Sequence, residues 1–232
     1  MRRILLSLAF TALTLPVYSQ LKVAGYPARP DKESALVDAK VPQFTLQNGT
    51  ILDGIAELTR TVSEATFSFE VELGDTLPES HTPIGRFSLD LRDQTVSQIL
   101  NELCRADQRY KWSRDGWMIN VFPAKTTPSY LLNRNLERLS FTKVTNAQDA
   151  VFITVKQLPA PFEQIAVVQP GGNISYSQPW TSTFDHLTVR QAFNRVAEHV
   201  APRTGWIFGG RNGFRTVMFY TGELHRVETE AK

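Results

Sequence analysis

Side chains able to carry out chemistry are few in this chain and lie far apart. The single cysteine, Cys104, and the four histidines show none of the short, regular spacings of zinc ligands. Two histidines directly follow a carboxylate, but neighbouring side chains of a helix or strand point in different directions. Neither a Gly-x-Ser-x-Gly nucleophile motif nor a phosphate-binding glycine loop occurs. We therefore expect no metal ion and no cofactor, and we assign no catalytic residue. The histidines are His81, His186, His199 and His225.

Separated carboxylates leave one enzymatic alternative open. Glu70, Asp90 and Asp93 lie in or beside predicted strands. Two carboxyl groups that face each other across a cleft can act as acid and base in glycoside hydrolysis. The alternative is thus a cell-envelope hydrolase or a glycan-binding protein. It requires the carboxylates to meet in a deep cleft, while a shallow surface with an open strand edge favours a protein that only binds.

Aromatic residues supply the candidate binding surfaces. The chain has 4 Trp, 6 Tyr and 14 Phe, and core packing accounts for most of them. Trp112 and Trp117 flank a predicted hairpin turn, and Tyr176 and Trp180 lie in the polar stretch 169–180, which we predict to be a loop. Rigid, amphipathic rings are favoured as anchors for partners. We therefore expect these four residues to form exposed patches that bind a protein or stack on a glycan.

Apolar spacing over residues 42–123 predicts the order β-α-β-β-α-β-β. Spacings of three and four residues indicate helices, and spacings of two indicate strands with one buried face. The second helix begins with a capping box, Thr95-Val96-Ser97-Gln98. The pair Asp115-Gly116 predicts a tight hairpin turn. The apolar positions are Phe44, Leu46, Ile51, Leu52, Ile55, Leu58, Val62, Phe67, Phe69, Val71, Leu73, Phe87, Leu89, Leu91, Val96, Ile99, Leu100, Leu103 and Cys104.

Residues 137–222 show the same order of elements, so we predict two tandem units. Thr188-Val189-Arg190-Gln191 matches the first capping box at three of four positions, and Asn194 follows it as Asn101 follows the first. Asn146 is placed to cap the first helix of this second unit, which begins directly after it. The predicted fold class is α+β, with each β-α-β-β-α-β-β unit a small mixed sheet on which two helices pack. Whether the units share one core or form separate domains stays open.

Residues 1–19 are organised as a secretory signal peptide. Arg2 and Arg3 precede an apolar run, and cleavage after Ser19 is favoured by the small residues there. The run is shorter than the roughly 20 apolar residues of a membrane span, so we expect no stable membrane insertion after cleavage. The remaining segments are an extended leader at 20–41, a linker at 124–136 and a polar tail at 223–232.

Cysteine content and charge narrow the compartment and the partners. A chain with one cysteine forms no internal disulfide, which is unusual among eukaryotic secreted domains. The apolar run is not followed by a cysteine that could carry a lipid anchor. Both features favour a soluble protein of the Gram-negative periplasm. Without Arg2 and Arg3 the chain has 23 basic and 23 acidic residues, so we expect no nucleic-acid partner.

The first unit resembles the secretin and TonB short N-terminal (STN) domain family over residues 42–123, and residues 137–222 resemble it more distantly. The segments that carry the resemblance are Phe44-Thr45-Leu46, Leu52-Asp53-Gly54-Ile55-Ala56-Glu57-Leu58, residues 87–96 with Ile99-Leu100-Asn101-Glu102-Leu103, and the hairpin at 110–121.

This resemblance implies a periplasmic, non-enzymatic protein-interaction module in envelope transport, secretion or signalling. Its partner is expected to be another envelope protein. A partner strand can add to an open sheet edge, and the exposed aromatic patches are the other expected contact. The oligomeric state stays open.

Overall fold

The structure, a computed structural model, describes residues 34–71, 85–127, 129–158, 164–168, 175–201, 203–211 and 214–222. These residues form a mixed α+β fold, which confirms the fold class predicted from the sequence. The predicted signal peptide, most of the leader and the polar tail lie outside the described residues. The helices are α1 (Ser34–Asp38), α2 (Ile51–Thr61), α3 (Val96–Ala106), α4 (Ala147–Lys156) and α5 (Val189–Val200).

Ten strands accompany these helices in the described parts of the chain. The first five lie before residue 124 and the others after residue 134, with a short 3-10 helix, Leu131–Asn133, between the two halves. The strands are β1 (Lys40–Gly49), β2 (Thr66–Glu70), β3 (Phe87–Thr95), β4 (Tyr110–Asp115), β5 (Met118–Pro123), β6 (Asn135–Asn146), β7 (Gln164–Val168), β8 (Ser175–Thr188), β9 (Thr204–Arg211) and β10 (Phe214–Thr221).

Side-chain caps fix where the longer helices begin. Thr95 accepts from the backbone N–H of Gln98 at 3.3 Å, and the Gln98 side chain accepts from the N–H of Thr95 at 2.8 Å. Thr188 and Gln191 repeat this exchange. Asn146 accepts from the N–H of Asp149 at 2.8 Å. These contacts satisfy N–H groups that the first helical turn leaves unpaired, and they confirm the predicted starts of α3, α4 and α5.

Six strands form one mixed sheet in the order β4-β5-β2-β9-β10-β7. Its first three strands come from the first half of the chain and its last three from the second. β2 and β9 run parallel, with Ser68 opposite Trp206, and join the two sets. The small mixed sheet predicted for each half is thus part of one larger sheet, and pairing β2 with β9 removes two open strand edges. Two antiparallel ribbons, β1-β3 and β6-β8, lie outside this sheet.

Two hydrophobic cores lie on opposite faces of the six-stranded sheet. The first packs α2, α3 and the β1-β3 ribbon against Phe67 and Phe69 of β2. The second packs α4, α5 and the β6-β8 ribbon against Trp206 and Phe208 of β9. Ile207, between those two residues, packs against the first core. Since alternate residues of a strand face opposite sides, the helices of the two halves cover opposite faces.

Strand β2 is buried on both faces, although its alternating sequence predicted one buried face. Phe67 and Phe69 face the first core, while Ser68 and Glu70, which point the other way, are also fully buried. Glu70 lies against Arg190 of α5. The exposed face that the alternation predicted is therefore covered by the second half of the chain.

Three segments differ from their predicted structure. The end of the predicted extended leader forms α1, and β1 already begins at Lys40. Within the predicted linker at 124–136, Leu131 and Leu132 are buried in the second core. The part of the predicted loop from residue 175 onward belongs to β8, and residues 169–174 lie outside the described residues. No helix in the described ranges is long and apolar enough to cross a membrane.

Candidate interaction surface

A buried ion pair, Glu70–Arg190, lies on one face of the sheet where β2 pairs with β9. Arg190 donates twice to the Glu70 carboxylate, from Nε to Oε1 and from Nη2 to Oε2, the second at 2.9 Å. The guanidinium carbon of Arg190 lies 4.3 Å from the centre of the Phe122 ring. Burial raises the pKa of Glu70, and the charge and hydrogen bonds of Arg190 act against that rise. This carboxylate therefore serves as the counter-charge of a buried cation.

A second polar contact ties α5 to the β4-β5 turn. Asn194 donates from Nδ2 to Asp115 at 2.8 Å, and Arg195 donates from Nη2 to the same carboxylate at 3.0 Å. The amide oxygen of Asn194 accepts from Trp206 Nε1 at 2.9 Å. One asparagine thus connects the turn of the first half to a buried tryptophan of the second.

On its other face the same join depends on a glycine. The Tyr220 hydroxyl of β10 donates to the backbone oxygen of Phe67 at 2.8 Å, and the Tyr220 ring packs on Ala56 of α2. A Cβ atom at Gly205 would fall well inside van der Waals distance of the Phe67 oxygen and against the Tyr220 ring. The close approach of β2 and β9 therefore requires a residue without a side chain at this position.

The three candidate carboxylates lie in different surroundings. Glu70 is fully buried and paired with Arg190. Asp90 and Asp93 lie on β3 in the β1-β3 ribbon, where both side chains are exposed. Asp90 accepts from the Thr45 hydroxyl at 3.4 Å. The hydrolase alternative needs a solvated acid and base across a cleft, and Glu70, enclosed against α5, does not supply one.

Trp112 and Trp117 do not form the exposed pair expected of a patch. Trp112 is half-buried against the first core, and its Nε1 donates to Asn101 of α3 at 2.8 Å. Trp117 is half-buried in the tight turn after Asp115, beside Gly116, whose positive φ of 59° confirms the turn position predicted for a glycine.

The other proposed aromatic patch is also not exposed at Trp180. This residue is buried in the second core, where its ring stacks on Phe141 at 4.3 Å and on His199 at 4.4 Å between ring centres. The prediction of an exposed Trp180 is therefore wrong, because β8 turns this residue toward α5. Tyr176 belongs to β8, but its side chain lies outside the described residues.

Cys104 is partly buried beside the first core, in agreement with its predicted position on the apolar side of α3. Burial, with a smaller contribution from the Asp107 charge, raises the pKa of its thiol to about 11. His186 is exposed on β8, and burial lowers the pKa of His199. His81 and His225 lie outside the described residues. The described part of the chain contains no cluster of side chains able to hold a metal ion.

The two outer strands of the six-stranded sheet, β4 and β7, differ in charge. Each pairs with a described strand on one side only. β4 carries the exposed charges of Lys111 and Arg114, and charges of this kind protect an edge from the addition of a further strand. β7 has the sequence Gln-Ile-Ala-Val-Val, without charge or proline. The outer edge of β7 is therefore the more receptive to a further strand.

Phe152 lies on α4, the helix that contacts β7. Its side chain is 57 % exposed and is the large hydrophobic residue that stands out as exposed among the described residues. The Lys156 ammonium lies 4.2 Å from the centre of its ring. We call the outer edge of β7 together with Phe152 the β7 end. Sequence reasoning missed Phe152 because aromatic residues in an amphipathic helix usually belong to the core.

Comparisons with known proteins add no assignment to this geometry. The chain matches no known protein family, no curated protein and no solved structure.

Proposed function

We propose that this protein is a non-enzymatic interaction module of the Gram-negative periplasm that binds another envelope protein at the β7 end. The signal-like residues 1–19 support export, and the resemblance to STN domains supports an interaction role. The bound partner contributes a strand to the outer edge of β7 and covers Phe152. Strand addition uses backbone hydrogen bonds for affinity and side-chain contacts for specificity.

The proposal treats residues 40–123 and 135–221 as two copies of one unit. Both have the element order β-α-β-β-α-β-β. Each has a tryptophan that donates to an asparagine of its last helix, Trp112 to Asn101 and Trp206 to Asn194. Each also has a positive φ two residues before its capping threonine, 53° at Asp93 and 56° at His186. Such local details are shared by copies more readily than by unrelated folds.

The proposal depends mainly on one observation: the strand edge that is covered in the first copy has no strand beside it in the second among the described residues. β2 and β7 each pair in parallel with the last strand of their own copy. The other edge of β2 pairs with β9, while the other edge of β7 has no strand among the described residues. The pairing of β2 with β9 in the first copy supports the addition of a strand at the corresponding edge of β7.

Helices α2 and α4, which lie beside β2 and β7, show the same difference: one equivalent position is covered in α2 and exposed in α4. Ala56 lies six residues after the capping Thr50 of α2, is 4 % exposed and contacts Tyr220 across the join. Phe152 lies six residues after the capping Asn146 of α4 and is exposed. A partner seated on the β7 end would cover Phe152 as the second copy covers Ala56. Burying the exposed part of a phenylalanine contributes on the order of 1–2 kcal/mol.

Site-specific photo-crosslinking in the native cell envelope tests the proposal. A photoreactive phenylalanine analogue at position 152 should give a discrete crosslinked species with another protein. The same analogue at Arg114, exposed on β4 at the opposite edge of the sheet, is the matched control and should give none. Crosslinking from position 114 alone, or from neither position, would contradict binding at the β7 end.

A further inference from the structure

We infer that the strand bound at the β7 end runs parallel to β7 and carries glycine followed directly by an aromatic residue, and that it comes from a different protein and not from strand β4 of a second copy of this chain. This inference rests on the proposed function and names the chemistry of its partner. It follows from the way β9 pairs with β2, and from the differences in sequence between β9 and β4, which is the equivalent strand of the first copy.

The join of β2 and β9 defines what an incoming strand must present. β9 runs parallel to β2, with Trp206 opposite Ser68 and Ile207 opposite Phe69. Gly205 precedes the tryptophan, and a Cβ atom there would collide with the backbone oxygen of Phe67. Glycine is therefore needed where the incoming strand passes this carbonyl, because both strands approach closely through their backbones.

The same carbonyl group exists on β7. Phe67 lies opposite Ile119 of β5, and Val167 lies opposite Val217 of β10. Val121 lies opposite Trp112, and Phe219 lies opposite Trp206. Ile119 and Val217 are each two residues before these partners of the tryptophans, so they occupy equivalent positions in the two copies. The Val167 oxygen therefore takes the place of the Phe67 oxygen. A strand that follows the path of β9 meets it at the residue before its aromatic side chain.

Strand β4 of a second copy of this chain does not fit that requirement. In this strand, which takes the place of β9, the residue before Trp112 is Lys111 and not glycine. The Cβ atom of Lys111 would collide with the Val167 oxygen as a Cβ at Gly205 would with the Phe67 oxygen. The exposed charges of Lys111 and Arg114 oppose strand addition at this edge as well. The six-stranded sheet therefore accepts a further strand at its β7 edge and not at its β4 edge.

Amide NMR of the isotope-labelled full chain tests this inference with a peptide probe. The probe has the sequence of β9, Thr204–Arg211, and is titrated to millimolar concentration. We expect amide shifts concentrated in β7 and around Phe152. A matched peptide with the change Gly205→Lys should bind at least about tenfold more weakly, because its side chain meets the Val167 oxygen. A spin label on the N-terminus of the probe should broaden the amide signals near Gln164, the first residue of β7, because parallel strands have their N-termini on the same side.

Two variants of the chain complete the test. Phe152→Asp should weaken binding of the probe at least about tenfold, while Arg114→Asp, at the opposite edge of the sheet, should leave it unchanged. Both positions are exposed, and circular dichroism verifies that each variant is folded. The inference is overturned if the probe does not bind, if both peptides bind equally, or if the chain self-associates and Arg114→Asp abolishes that association. Crosslinking at position 152 without probe binding would leave the proposed function intact and reject the strand chemistry.

Discussion

Glu70 illustrates how a charged residue acquires a structural role in this protein. The side chain is fully buried on β2, and its counter-charge, Arg190, comes from a helix 120 residues later in the chain. Arg190 is itself only 12 % exposed. Removing one partner of such a pair leaves an uncompensated buried charge, while replacing both by apolar residues removes the cost of burying either. We therefore expect the pair to contribute to how the two halves dock more than to net stability.

A double-mutant cycle measures this coupling. We expect Glu70→Leu to lower the free energy of unfolding by about 3–5 kcal/mol, because Arg190 stays buried without its carboxylate. The double variant Glu70→Leu, Arg190→Met should be more stable than Glu70→Leu alone. Urea unfolding followed by far-ultraviolet circular dichroism gives the four free energies of the cycle, those of the unchanged chain, Glu70→Leu, Arg190→Met and the double variant. Additive effects of the two substitutions would show that the pair is not coupled.

Cys104 is the sole thiol in the chain, so a thiol reagent reports on it alone. Its pKa is raised from 9.0 to about 11. At pH 8 the thiolate population, and hence the rate of alkylation, should be about 100-fold lower in the folded chain than in urea. The folded rate should keep rising about tenfold per pH unit toward pH 10 while that of the unfolded chain levels off. Equal rates in the two states would contradict a buried thiol.

At the scale of elements, capping boxes fix where two of the long helices begin. Thr95 and Thr188 begin α3 and α5, the helices that pack on opposite faces of the sheet. Each threonine accepts one backbone N–H of the first turn, and its own N–H is satisfied by the glutamine three residues later. The chain uses the same local device to fix the direction of both helices.

Substituting these threonines should have similar effects in the two halves. Thr95→Ala and Thr188→Ala should each lower the free energy of unfolding by about 1 kcal/mol, because an N–H of the first turn loses its acceptor. Thr95→Ser and Thr188→Ser keep the hydroxyl and should change stability by less than about half as much. Chemical denaturation of the four variants provides the comparison. An alanine variant as stable as its serine counterpart would argue against a role for the cap.

The elements could be predicted from the sequence because their causes are local. Helix starts at Thr95, Asn146 and Thr188 follow from side chains within three residues, and the turn at Gly116 follows from its own backbone conformation. The burial of Glu70 could not be predicted, because alternating polar residues indicate an exposed face unless a distant helix covers it. Trp180 was misplaced for a different reason: it was predicted to lie in a loop, whereas it belongs to β8 and its ring stacks on His199 of α5.

The sequence predicted that a sheet edge would be a candidate binding surface, but not which strand forms that edge. The expectation of an open sheet edge needs no more than the STN resemblance and the strand pattern, but which edge is open depends on how the halves join. Phe152 was not recognisable from the sequence, because Ala56 at the corresponding position of α2 is covered by Tyr220, while Phe152 is exposed among the described residues. The exposed tryptophan pair was a weaker guide, since Trp112 is engaged by Asn101.

For the molecule as a whole, the continuous sheet implies that the two cores are mechanically linked. Each core is completed by residues of the other half: Met118 of β5 belongs to the second core, and Ile207 of β9 packs on the first. The Glu70–Arg190 and Asp115–Arg195 pairs connect the same halves. Opening one half would leave β2 or β9 with an unpaired edge and would expose apolar surface of the other.

The two halves should therefore unfold in one cooperative transition, although each has its own hydrophobic core. Leu100→Ala in the first core should lower the stability of both halves by about 2–5 kcal/mol, as expected for a fully buried leucine. Native-state hydrogen exchange can follow β5 in the first half and β10 in the second, and the most protected amides of both should lose the same amount of protection. Gly205→Ala should break this linkage, because its Cβ separates β2 from β9. Loss of protection confined to the first half in Leu100→Ala would contradict a common sheet and would imply two domains that fold independently.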